Sequence, residues 1–245
     1  MKQFKFLSAG AVALVMFFSS CGTSDEKKTD ETVTTDSTAA TITPETKMDV
    51  AAAKSLNNTL VMRHKVASFS KWLPVYEAHD STRLAYGLHN YLIARGIKDS
   101  NMVMVALQMD DTAKAKQFTA LPDLKAAMQR GGVVGTPKIL YLEYQWRDTT
   151  ANGPTRVIVT HKVKDWDAWK KSFDSHKQKR MDAGLTDRVI SYSAGDNHMV
   201  TAAFIINDMK KAEYFMKSKE LEDKMREAGV VGPPDIFFYN VVKNY

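Results

Sequence analysis

The chain has 245 residues, 44% hydrophobic and 25% charged, with a formal net charge of +6. That balance is ordinary for a globular protein, and the length allows one or two packed domains. The single cysteine, Cys21, excludes an internal disulfide and a thiolate metal cluster. The charge is unevenly placed: Lys2 and Lys5 open the chain, residues 22–58 net −3, and residues 59–245 carry +7. A basic region can favour anionic partners, but a solvated basic surface accounts for it. With no Arg run, Gly-Lys-rich loop or recognition-helix pattern, no nucleic-acid partner is expected.

The first twenty residues read as an address. Lys2 and Lys5 form a positive start, Phe6 to Phe18 a short apolar stretch, and Ser19-Ser20 a small-residue ending before Cys21-Gly22. This pattern is a secretory signal, too short to span a bilayer. The small-small-Cys ending resembles the lipobox of bacterial lipoproteins, with Phe18 where Leu is usual. The expectation is a signal peptide over 1–20 and a lipidated Cys21 that anchors the chain to a membrane of the cell envelope, on a periplasmic or surface-exposed face. Residues 21–58 are rich in Thr, Ser, Asp, Glu, Lys and Ala and hold no aromatic residue. Such a segment buries too little apolar area to offset its ordering entropy, so a flexible tether is expected. Ser24-Asp25-Glu26-Lys27-Lys28 resembles short surface-export signals, although a solvated spacer explains it better.

The rest of the chain is one module written twice. At an offset of 97 residues, His64-Lys65-Val66 falls on His161-Lys162-Val163, Trp72 on Trp169, His79 on His176 and Arg83 on Arg180. Gly132-Val133-Val134-Gly135 falls on Gly229-Val230-Val231-Gly232, and 25 of the 83 positions in 60–142 are identical without a gap. That is duplication, giving two domains over 59–148 and 152–245. In each copy a β-rich strand (59–66, 157–163) leads to a helix opened by Ser68 or Asp165. Bulky residues at 69, 72, 76, 79 and 83 keep the helical period, and Gly87 and Gly184 end it. Two strands follow, 88–97 and 101–108, joined by Lys98-Asp99-Ser100; in copy two the turn is Gly195-Asp196-Asn197. Asp111 and Asp208 cap a second helix, broken near Pro122 and Ser218. A final strand follows Pro137 and Pro234, and Gln145–Thr155 connects the copies. The order β-α-β-β-α-β is the split-βαβ, ferredoxin-like plan.

The strand ending His-Lys-Val, the helix pattern Trp-x6-His-x3-Arg, the Tyr/Ala-Gly-Leu turn and the closing Gly-Val-Val-Gly-x-Pro together resemble the dimeric α/β-barrel superfamily. That superfamily includes antibiotic-biosynthesis monooxygenase-like and cyclase-like proteins. The resemblance spans nearly all of 59–245. It implies an α+β fold in which the two tandem modules pair sheet to sheet within one chain as a pseudo-dimeric barrel. The strands support this, since Val103, Val105 and Leu107 alternate with Met102, Met104 and Ala106, and a sheet apolar on both faces needs cover on both. The resemblance says little about activity, because its members include oxygenases, isomerases, haem enzymes and binding modules.

Three repeated polar pairs are the candidate site. His79 and Arg83, with His176 and Arg180, lie four apart on one helix face and are the candidate catalytic residues. Arg would clamp an anion and His would move a proton; capping and compensation of the helix dipole explain them without function. His64 and His161 are candidate ligand-binding residues, or core histidines stacked on tryptophan. A metal shared by His64 and His79 is excluded by a separation of roughly 10 Å along the helix. Arg63, Lys65, Tyr91 and Arg95, with Lys162, Arg188 and Tyr192, are placed to line the barrel. No metal or other cofactor is expected: the Gly-Val-Val-Gly loops lack a Walker Lys, and Met102, Met128 and Met225 fit core packing. Three functional readings follow. The first is an envelope lipoprotein binding a small, partly apolar or anionic ligand in the barrel. The second is a cofactor-independent monooxygenase or isomerase. The third is a structural or partner-binding module with a filled barrel.

Overall fold

The computed structural model describes residues Asn58–Tyr245. The expected signal peptide, Cys21 and the tether up to residue 57 lie outside the described residues; Asn58 already opens the first strand. Module one runs β1 (Asn58–Val66), α1 (Phe69–Ala78), α2 (Asp80–Ala85), β2 (Leu88–Gly96), β3 (Met102–Met109), α3 (Thr112–Thr119), α4 (Pro122–Arg130) and β4 (Val133–Arg147). Module two repeats it as β5 (Thr155–Val163), α5 (Trp166–Ser175), α6 (Lys177–Asp182), β6 (Leu185–Ser193), β7 (Asp196–Ile206), α7 (Met209–Met216), α8 (Lys219–Glu227) and β8 (Val230–Asn244).

Local chemistry sets these boundaries. The carboxylates of Asp111, Asp165 and Asp208 accept from the backbone N–H three residues on, which satisfies donors that open helices leave free. Ser68 sits at the same place, but its hydroxyl meets Ser70 instead. The helix expected over 69–86 breaks at His79, and its counterpart at His176, so each histidine closes one helix and opens the next. Gly184 has a φ of +72, and an added Cβ would lie 2.7 Å from the Cβ of Asp208. Only glycine fits there.

All eight strands pair antiparallel in one closed barrel, in the order β1-β3-β2-β8-β5-β7-β6-β4. Each module supplies the four-stranded order of a split βαβ sheet. The last strand of each module is the suture: β4 pairs with β1 along its first part and with β6 from Leu142 to Arg147. Likewise β8 pairs with β5 and then, from Tyr239 to Asn244, with β2. These strands therefore begin before Pro137 and Pro234 and run past the ends expected from sequence, leaving only Asp148–Pro154 as connector. Pro137 is tolerated because the ladder shifts between Arg63 and Lys65, opposite Gly135, Thr136 and Pro137. A proline lacks the N–H that a regular ladder needs, and a bulge removes the demand.

The closed sheet has two apolar faces. Outside, Leu60, Met62, Val66, Val103, Val105 and Leu107 pack under Trp72 and Phe118 in module one, and module two repeats the layer. Inside, Val61, Leu92, Met104, Leu142 and Tyr144 meet Ile158, Val189 and Tyr239 from the other module. An eight-stranded barrel is just wide enough for side chains to fill it, and here they leave about 40 Å³. Trp72 and Trp169 are equivalent buried anchors of the outer layers. Replacing either with Ala is expected to cost about 3–5 kcal/mol, read from urea midpoints; losses of a few tenths would contradict this packing.

Candidate functional site

The polar residues that recur in both copies gather between the sheet and the helices, not in the barrel. In module two, His161 on β5, Trp169 and Phe173 on α5, His176 at the helix break and Arg180 on α6 line one cleft of about 80 Å³. In module one the corresponding His64, Trp72, Tyr76, His79 and Arg83 line a cleft of about 40 Å³. The three polar pairs that recur in the sequence thus converge on one place in each module.

His64 and His161 are buried, and their rings tilt against Trp72 and Trp169 at 5.7 and 5.5 Å between centroids. Neither ring nitrogen of either residue has a hydrogen-bond partner among the described residues. Each faces the bulge of the neighbouring strand, where the ladder is interrupted. Burial without a counter-charge pushes both imidazoles down to about 4. They are neutral at pH 7, each with one nitrogen able to donate and the other to accept.

The second histidine and the arginine differ between modules. His79 Nε2 is 2.8 Å from the Asp123 carboxylate. Its counterpart His176 is less buried, and its basicity is lowered by partial burial and by the nearby Lys224. Arg180 donates from Nε and Nη2 to Asp187, each at 2.7 Å, and from Nη1 to the Phe173 carbonyl at 2.6 Å, with its guanidinium 3.6 Å over the Phe173 ring. Arg83 donates to the Tyr76 carbonyl and to Asp80 and lies 4.0 Å over the Tyr76 ring. Arg180 ties the helix break to β6, Arg83 ties the two helices to each other, and each is neutralised by a carboxylate of its own module. Neither is a free anion clamp.

The residues expected to line the barrel divide. Tyr91 and Arg188 do line it. Arg63 joins Asp235 at 2.8 Å. Lys65 pairs with Asp99 at the surface, and Lys162 is exposed. Arg95 lies 4.4 Å over Phe69, and Tyr192 stands edge-on to Trp166 at 5.1 Å, both on the helix side of the sheet. The cause is a bulge in each strand, between Asn90 and Leu92 and between Asp187 and Val189, which shifts the inside-outside alternation by one residue. Sequence reasoning missed Arg147 and Arg156, which reach the same interior as Arg188; neither has a basic counterpart in the other copy.

No family model matches the chain, and no curated protein matches it. Solved structures do. An anthrone oxidase-like protein aligns with 77% of this chain and 92% of its own, at 13% identity and a TM-score of 0.54. A provisionally named monooxygenase from Fusobacterium nucleatum aligns with 76% of this chain and 93% of its own, at 13% identity and a TM-score of 0.50. The fold is that of the dimeric α/β barrels. At such identity the likeness concerns backbone architecture, and it takes in both modules.

The two depressed histidines carry a pH dependence. An unfolded histidine takes up its proton near pH 6.5 and these only near 4. Between those values the unfolded chain binds more protons, so stability falls as pH falls, and above about 6.5 the full stabilisation is present. The loss from pH 7 to 4 is on the order of 3 kcal/mol per histidine. Urea midpoints of wild type and His161→Leu at both pH values are expected to show a shallower loss in the variant; equal losses would show that His161 titrates normally.

Proposed function

We propose that this chain is an envelope lipoprotein that holds a small, flat, mostly apolar molecule in the sheet–helix cleft of its second module. The observation that carries this reading is His161: a buried, neutral imidazole with both nitrogens unengaged, facing an aromatic-walled cleft. Ligand pockets characteristically combine apolar walls with a few convergent polar groups. Module one is the closed version. Val75 and Val105 stand where module two has Ser172 and Ala202, and Asp123 engages His79.

Membrane attachment rests on Cys21 and the apolar leader before it. Among the described residues no helix is long and apolar enough to cross a membrane. Replacing Cys21 with Ser is expected to move the protein from the membrane fraction to the soluble one; retention in the membrane fraction excludes the anchor.

A second reading is favoured by the same imidazole. A cofactor-independent oxygenase needs an apolar pocket and a proton acceptor; the cleft supplies the first, and the neutral His161, a weak base, would be the second toward an acidic C–H such as that of a phenol-like ketone. The names of the two similar structures lean this way. One experiment addresses both readings. Phenol is titrated into protein with labelled indoles, and oxygen uptake is followed when anthrone is added. A shift confined to the Trp169 N–H and abolished by Ala202→Val supports the cleft, while a response no larger than that of Trp72 removes it. Oxygen uptake lost in His161→Leu assigns an oxygenase; binding without uptake assigns a carrier or sensor.

A further inference from the structure

The barrel interior contains an electrostatic imbalance that the cleft does not explain. Arg188 is 8% exposed and Arg156 6% exposed, and both line the space left inside the barrel with Tyr91. Arg147 joins them, because its Nη2 donates to the Tyr91 hydroxyl at 2.8 Å and Arg188 Nη2 donates to the same oxygen at 3.3 Å. Nε and Nη1 of Arg188 and Nε of Arg147 are buried with no partner among the described residues. Arg156 donates from Nε to the Gly153 carbonyl. No carboxylate among the described residues forms an ion pair with any of the three. Asp148, whose backbone N–H bonds the Arg188 carbonyl, spends its carboxylate hydrogen bonds on Thr150 and Ala151, and its charge reaches Arg188 only weakly and without contact. Burial keeps the Tyr144 and Tyr239 phenols protonated, so neither provides counter-charge.

Burying guanidiniums without an opposite charge is costly, and buried charges in folded proteins are ordinarily paired. The same barrel shows the ordinary solution elsewhere. Arg63 and Lys138 share the carboxylate of Asp235. Lys138 and Asp235 occupy corresponding positions of the two copies, as do Tyr91 and Arg188. At the first pair duplication has produced a cation facing an anion. At the second it has produced a cation facing a hydroxyl that already accepts two N–H groups.

We propose that the barrel interior is a binding site for one small monovalent anion, of halide or formate size, held by Arg188, Arg156 and the Tyr91 hydroxyl. The remaining space of about 40 Å³ sets the size, since a cavity that holds a single water needs only about 10–15 Å³. The charge follows from the guanidinium nitrogens left without a partner, each able to donate a charge-assisted hydrogen bond to an anion. The site draws on both modules, so the anion would also act as a pin between them.

The test uses the full chain in detergent and in chloride-free buffer. Sodium formate is compared with sodium gluconate, too bulky for the space, at equal ionic strength. Formate is expected to raise the melting temperature by several degrees at saturation, and gluconate to leave it unchanged. Arg188→Met should abolish the difference, and Tyr91→Phe should weaken formate about tenfold, as one lost hydrogen bond to a charged group does. Chloride-35 NMR line broadening by wild-type protein, reversed by formate, is the readout that needs no variant. Equal responses to the two salts, an undiminished formate response in Arg188→Met, or an unbroadened chloride line in the wild type would each overturn the site.

Discussion

A four-stranded split-βαβ sheet carries helices on one face and has two free edges. Here both faces are apolar, so the bare face and both edges must be covered for the module to persist in water. Closure of the two sheets into one barrel meets all three needs at once. The interior takes the second apolar face, and the overhanging ends of β4 and β8 take up the free edges of β6 and β2. The long closing strands, the bulges that let proline pass, and the short connector Asp148–Pro154 all follow from that requirement.

Closure within one chain also relaxes symmetry. In a homodimer every residue beside the two-fold axis meets its own copy, so a lysine there faces a lysine. In this chain Lys138 meets Asp235 and Arg188 meets Tyr91, pairs that a symmetric assembly cannot make. Such complementarity favours pairing of the two halves with each other over pairing of like halves from two chains.

Periodicity and repetition made much of this legible before any coordinates. The helical stripe from Phe69 to Arg83, the capping aspartates and the left-handed glycines are local signals, and the strand order follows from the module plan. The helix-covered face of His64 was readable from its phase with Met62 and Val66. The bulges were not readable, because a one-residue slip in β2 or β6 leaves no composition mark, and so Arg95 and Tyr192 were assigned to the wrong face. The ends of β4 and β8 were hidden for another reason: their partners lie in the other module, far along the sequence. His64, His79 and Arg83 stood out because each recurs 97 residues later. Arg147 and Arg156 have Asn244 and Thr59 as counterparts, so the comparison that found the cleft concealed the interior cluster.

The two clefts then differ in a way that duplication permits. In module one, valines at 75 and 105 narrow the space, and Asp123 occupies one nitrogen of His79. In module two, Ser172 and Ala202 open it, and Arg180 is drawn aside by Asp187, which stands where module one has Asn90. A carboxylate on the strand in place of one on the helix holds the arginine against the cleft wall and leaves His161 as the free polar group. Module one keeps the tighter packing, with Trp72, Tyr76 and Phe118 closing over His64. Both modules keep an unengaged imidazole at the base of the cleft, so the division lies in the walls: one half packs them tightly, and the other leaves the wider space.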